Sequence, residues 1–272
     1  MTTISSTLRV PDGELYFEVR GQGRLIALVA APMDAAEFAP MADLLSSGFT
    51  VLTTDPRGIN RSRLDDPEQD STPVLRADDV ARLIEHVDAG PAVALGSSGG
   101  ACTVLALAQD HPERVAAVLA HEPPLIELLD DRDEFLKGTE EMIAAYRDGD
   151  VIGAWRKFMA QAGFQFPEGA LEQMFGGERP AQQVADERRW FEHELRETAR
   201  WRPDVDALKA GDVRVVIGIG AESRGQFCDR TSRALAAALG VEPAIFPGGH
   251  VAFTEDPVAF TVRFGEVIDE IN

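Results

Sequence analysis

Ser98 stands in Gly96-Ser97-Ser98-Gly99-Gly100, a G-x-S-x-G pattern. By chance those letters would fall in about one chain of this length in ten, so their setting decides their meaning. The apolar run Ala92-Val93-Ala94-Leu95 precedes them and a helical pattern, Gly99 to Gln109, follows. A serine on such a strand-to-helix turn has its Oγ exposed, with the amides of a helix N-terminus beside it. Glycines suit the flanks because two backbones close on each other there. The chemistry this arrangement supports is nucleophilic attack by a hydroxyl, which needs a base to take its proton and a third group to hold that base.

Five histidines are available: His86, His111, His121, His193 and His250. His250 follows Pro247-Gly248-Gly249, a loop able to bring an imidazole over a sheet edge, and it is the expected base. His86 and His111 fall at or near helix ends and read as solvent-exposed. His193 lies in a helical stretch, where a surface position is the simpler reading.

These residues need a scaffold, and the pattern of the chain supplies one. Leu8–Val10 and Leu15–Val19 around Pro11-Asp12-Gly13 read as a hairpin. Leu25–Ala30, Phe49–Thr53, Ala92–Leu95, Val115–Ala120 and Val213–Ile219 are continuous apolar runs, as expected of buried parallel strands. A short strand is expected over Ala244–Phe246. Helical periodicity covers Ala35–Leu45, Pro73–Val87, Thr231–Leu239 and Pro257–Ile271, while Arg63–Thr72 reads as a surface loop. Between Leu125 and Asp204 the rhythm changes to helices alone, around 132–147, 151–162 and 182–200, and all three tryptophans, Trp155, Trp190 and Trp201, lie there. The expected class is α/β, a mostly parallel sheet with helices on both faces. Residues 1–124 and 205–272 form the core, and 125–204 an inserted helical cap over the strands' C-terminal edge, where ligands bind in open α/β sheets.

Composition narrows the partners. The 272 residues are 44% hydrophobic and 26% charged, with a formal net charge of −20. That acidity argues against binding nucleic acid or anionic lipid. Cys102 and Cys228 are the only cysteines, too far apart in sequence for a zinc pattern, so no metal is expected. The N-terminus lacks a secretory pattern and no apolar run is long enough to span a membrane, so a reduced, cytoplasmic setting is the expectation. The expected partner is a small-molecule substrate; a homodimer stays open.

The element order, the serine turn and the late Gly-Gly-His resemble the α/β-hydrolase superfamily across nearly the whole chain. Asp55-Pro56-Arg57-Gly58-x-x-Arg61-Ser62 is similar to that family's D-x-R-G-x-G-x-S loop, with Asn60 where a glycine is usual. More locally, Gly96-Ser97-Ser98-Gly99 and His121-Glu122-x-Pro124 resemble the branch that opens the macrolactone of zearalenone, where the acid is a Glu directly after a His. The resemblance implies the order nucleophile, acid, histidine, which also places the base at His250. Many members carry the acid as an Asp at the position that Ser223 fills here. Glu122 is favoured over Glu222, the residue before Ser223, with Asp229 more distant. The family's oxyanion hole uses the amide after the nucleophile, here Gly99, and one from the loop after the first parallel strand. Pro32 has no N–H, which leaves Met33.

The resemblance therefore implies a cofactor-independent serine hydrolase acting through an acyl-enzyme on an ester or lactone with a sizeable apolar body. Met33, Trp155, Phe158, Met174, Trp190 and Val251 are candidate pocket residues, with Trp155, Trp190 and Val251 put forward as substrate contacts. C–C bond hydrolysis of β-diketone-type substrates by the same three residues, and non-catalytic binding of a small molecule, stay open. A serine nucleophile argues against dehalogenase or epoxide-hydrolase chemistry, which needs a carboxylate.

Overall fold

A computed structural model describes residues 3–165 and 167–271. Nine strands form one sheet: β1 Ile4–Val10, β2 Gly13–Arg20, β3 Leu25–Val29, β4 Thr50–Thr54, β5 Arg63–Leu64, β6 Ala92–Ser97, β7 Val115–His121, β8 Arg214–Gly220 and β9 Ala244–Phe246. Their order is β1-β2-β4-β3-β6-β7-β8-β9, with β5 paired to β2. The β1, β2, β4 and β5 pairings that involve β2 are antiparallel, and from β4 through β9 every pairing is parallel.

The apolar runs are two-sided, as strand geometry requires of a sheet covered on both faces. Along β3, Leu25, Ala27 and Val29 pack into one core while Ile26 and Leu28 pack into the other. Along β6, Ala92 and Ala94 face the first and Val93 and Leu95 the second. Helices Pro73–Val87, Gly99–Asp110 and Phe227–Leu239 cover the first face. Helices Ala39–Leu45 and Pro257–Ile271 cover the second. Helix 73–87 begins as its sequence dictates, with Pro73 in the first turn and Thr72 accepting from the Leu75 amide at 3.1 Å.

The region between β7 and β8 carries no strand among the described residues. Its helices are Arg132–Arg147, Val151–Ala162, Ala170–Phe175, Ala181–Arg189 and Leu195–Arg200, the last two joined through a π-helical turn, Trp190–Glu194. Met142, Ala154, Trp190 and Phe191 form its own small core. Ile126, Leu129 and Ala199 pack against Phe227 and Cys228 of helix 227–239, which seats the cap on the sheet's C-terminal edge.

Several local expectations are corrected. The helix expected from Ala35 starts at Ala39, because the buried Asp55 carboxylate accepts the Ala35 amide at 3.0 Å and holds that stretch in turns. The expected loop 63–72 opens with β5, recruited by backbone pairing to Gly13 and Glu14. The helix expected over 182–200 is interrupted by the π turn. Short helices at 170–175, Val205–Ala210 and Ala252–Glu255 went unexpected.

Candidate active site

The parallel register brings distant residues to one edge. Ser97 pairs with His121, His121 with Gly218, and Gly220 with Phe246. Ser98 and Glu122 thus leave adjacent strand ends, and the loop to His250 leaves β9, separated from β7 by β8 alone. Ser98 has φ +54° and caps helix 99–110. That left-handed conformation is strained for a residue with a side chain. It is held by the Ser98 amide donating to His121 O at 3.0 Å and by Ser98 O accepting from Ala101 at 2.9 Å. A Cβ on Gly96 would run into the Gly100 carbonyl, and one on Gly100 into the Val29 carbonyl. The turn can close only with glycine at both places.

Glu122 also has positive φ, +51°, and is fully buried. Its Oε1 accepts from the Gly220 amide at 2.8 Å, and its Oε2 accepts from His250 Nδ1 at 2.6 Å. Burial by itself would raise this carboxyl. The His250 hydrogen bond and the neighbouring imidazoles His121 and His250 outweigh it and bring the pKa down to about 2. Glu122 is therefore ionised at neutral pH, and the imidazole bonded through Nδ1–H keeps Nε2 free to act as a base. Glu222, one residue before the buried Ser223, is exposed. Asp229 bonds the Gly225 amide and Arg233 instead.

His121 does not share this role. It is fully buried, lies edge-on to Phe246 and Phe260, and meets Ser97 Oγ at 3.2 Å. Burial pushes its pKa down to about 4, so it stays neutral.

Ser98, Gly99 and His250 open onto one largely apolar cavity of about 100 Å³ between sheet edge and cap. Ala31, Pro32, Phe158, Phe164, Trp190 and Phe227 contribute to its walls. Trp155 does not. It stacks on Trp190 at 5.1 Å and Phe175 at 4.1 Å, and its Nε1 donates to Glu187, so it stands a layer behind. Val251 is half-buried next to His250 but outside the cavity wall, and Met174 is exposed. In the loop after β3, Ala31 and Pro32 face the cavity while the half-buried Met33 packs toward the core containing Phe38. His86 is exposed, His111 bonds Asp78, and His193 bonds Asp70 away from the cavity.

The Asp55–Ser62 loop is structural. Fully buried Asp55 takes Arg61 Nε at 2.7 Å, and Arg57 is clamped between Asp79 at 2.7 Å and Asp12 at 3.0 Å. Asn60 adopts φ +49°, a conformation Asn tolerates better than most side chains. Unlike a glycine, it also bonds Asp34 through its side chain at 2.6 Å, and its amide reaches Asp186 of the cap at 2.8 Å.

Sequence reasoning missed Glu194, Thr198 and Cys228 on the cavity wall. Glu194 ends the π-helical turn 190–194 and Thr198 lies four residues on. The Cys228 thiol comes within 4.8 Å of the ligand atoms of Glu122 and His250, the kind of group that could hold a metal ion. Burial raises that thiol well above its ordinary pKa, and the His250–Glu122 bond already uses two of the three donors.

Comparison with known proteins bears on this geometry. The family model described as "alpha/beta hydrolase fold" matches residues 25–214. An uncharacterized hydrolase, YraK, of Bacillus subtilis is 29% identical over 278 residues, covering 99% of this chain and 98% of the relative. A zearalenone hydrolase of Bionectria ochroleuca is 26% identical over 264 residues, covering 94% of each. A thermophilic esterase from Thermogutta terrifontis superposes with a TM-score of 0.66 at 20% identity, over 100% of this chain and 99% of the esterase, a likeness of fold.

Proposed function

The chain belongs to the α/β-hydrolase fold family; from that premise we propose an enzyme of the esterase and lactonase type, a cofactor-independent serine hydrolase working through Ser98, His250 and Glu122. The observation that carries the reading is the 2.6 Å bond from His250 Nδ1 to a buried, ionised Glu122, with His250 and Ser98 on the wall of one cavity. His250 Nε2 takes the Ser98 proton as Oγ attacks the carbonyl carbon. The oxyanion forms beside the Gly99 amide at the N-terminus of helix 99–110, with Met33 N–H as the second donor. His250 then gives its proton to the leaving oxygen, and the alcohol departs. Water, deprotonated by His250, attacks the acyl-enzyme and frees the acid.

Throughout, Glu122 holds the imidazole in the required tautomer and offsets its transient charge. The apolar wall built on Trp190, backed by Trp155, excludes water and strengthens these interactions. Residues 125–204 act as the lid. The substrate class is an ester or lactone with an apolar body, and the relative named zearalenone hydrolase makes a macrolactone the first candidate.

The test is covalent. A fluorophosphonate should label the wild-type protein at Ser98, found by peptide mass spectrometry, and leave Ser98→Ala unlabelled. Hydrolysis of aryl esters and zearalenone should disappear in the same variant. No adduct at Ser98, or undiminished turnover in Ser98→Ala, would sink the proposal.

A further inference from the structure

The chemistry above uses the sheet-edge wall of the cavity. The cap wall carries a group with no task in it. Glu194 ends the π-helical turn, is 1% exposed, and lines the same cavity as Trp190 and Ser98. One-turn π segments inside α-helices recur at functional sites.

Its surroundings neutralise this carboxyl without satisfying it. Arg76 Nη1 is 3.7 Å from Oε1, beyond a hydrogen bond, and Oε2 has no hydrogen-bond partner among the described residues. Arg76 directs its donors elsewhere: Nε to Thr103, Nη1 to Ser71 and Nη2 to Thr198. Arg189, the other nearby cation, donates through Nη1 to Pro67 O. Burial raises the Glu194 carboxyl, and Arg76 and Arg189 pull it the other way. Buried polar atoms are rarely left unpaired, and one on a ligand cavity points to a ligand. Thr198, whose hydroxyl already accepts from Arg76 at 3.0 Å, lines the wall one helical turn on.

Resting on the hydrolase reading, we propose that Glu194 binds the substrate by pairing with a hydroxyl on its body at the cap wall, while the scissile carbonyl lies at Ser98. A hydroxyl is the complement the site selects. It donates to a carboxylate and accepts from a carboxylic acid, so it fits either state of a shielded acid. A cationic group does not fit, because two guanidiniums, Arg76 and Arg189, already offset the charge. Substrates are thus esters or lactones whose apolar body carries a neutral hydroxyl or phenol.

The experiment compares 4-nitrophenyl 3-phenylpropanoate with its 2-, 3- and 4-hydroxyphenyl counterparts, reading nitrophenolate release. In the wild type at least one hydroxylated isomer should exceed the plain ester by about ten- to a hundredfold in kcat/KM, the range of a hydrogen bond to a buried charged group. In Glu194→Leu that ratio should fall to near unity, mainly through KM of the hydroxylated ester. Glu194→Gln, which keeps shape and one acceptor, should retain an intermediate ratio, and it carries the test if the leucine variant does not fold. Equal losses on both esters would mean a structural role and overturn the proposal. Wild-type turnover of all four esters without preference would overturn this proposal alone. Turnover of none, with Ser98 unlabelled by fluorophosphonate, would overturn the hydrolase reading and this proposal with it.

Discussion

Replacing Glu122 by Gln removes a charge and almost no volume from a fully buried position. Its consequence follows from two bonds. Oε1 accepts from the Gly220 amide at 2.8 Å, so the new side chain must place its carbonyl oxygen there. The amide nitrogen then occupies the Oε2 position, 2.6 Å from His250 Nδ1, and donates where the carboxylate accepted. Nδ1 becomes an acceptor and the ring proton moves to Nε2, the atom that takes the Ser98 proton in the proposed reaction. The imidazole is held in the wrong tautomer, and the imidazolium formed in the reaction loses its counter-charge. An analogous amide in a serine protease triad costs about 10⁴ in kcat; a loss of about 10³- to 10⁴-fold is expected here, or about 4 to 5.5 kcal/mol of barrier. Steady-state hydrolysis of a 4-nitrophenyl ester gives kcat, and the rate of fluorophosphonate labelling should fall in parallel. Glu222→Gln, at an exposed side chain, is the control and should stay within twofold of wild type, an estimate of ~2 in line with ordinary surface substitutions. A Glu122→Gln enzyme within tenfold of wild type, or a collapse of activity in Glu222→Gln, would refute the tautomer reasoning.

Two further outcomes follow from the same edge of the sheet. Gly96→Ala should destabilise the protein by about 3 kcal/mol or more, because the added Cβ meets backbone on its far side and not a yielding side chain; urea unfolding of a well-behaved Gly96→Ala at wild-type stability would contradict it. Acid should weaken the fold in two stages. His121, lowered from 6.5 to about 4 by burial, binds its proton more readily unfolded, so the stability it contributes is full above pH 6.5 and lost as pH falls through 4. That loss is roughly 3 kcal/mol at about 1.4 kcal/mol per pH unit. Glu122, lowered from 4.5 to about 2, adds a second loss below pH 4.5. Denaturant titrations from pH 7 to 4 should show the first slope in the wild type and a flatter one in His121→Asn; equal slopes would show that His121 is not its source.

Much of the site was legible because its parts are local. The strand, the turn and the helix around Ser98 are consecutive, and their glycines mark a backbone contact that a side chain would block. His250 announced itself by its loop. The acid was harder. Glu122 and Glu222 both follow parallel strands; only the short His121-Glu122-x-Pro124 resemblance favoured Glu122, and local pattern does not say which carboxylate turns toward His250. Trp155 was singled out as a substrate contact, but a ring's layer depends on what packs around it, and here Trp190 stands in front of it. Glu194 carried no signal: it ends a π turn that helical periodicity does not foresee.

By itself the sequence determined the class of fold, the strand-to-helix turn at Ser98 and the presence of an inserted helical block, since strand alternation, helix period and backbone sterics act over a few residues. Only the tertiary structure decided that Glu122 meets His250, 128 residues away, and that Ser223 and Glu222 do not. The reason is register: the pairings of β6 with β7, β7 with β8 and β8 with β9 set which chain ends become neighbours, and those pairings arise between segments no local pattern connects.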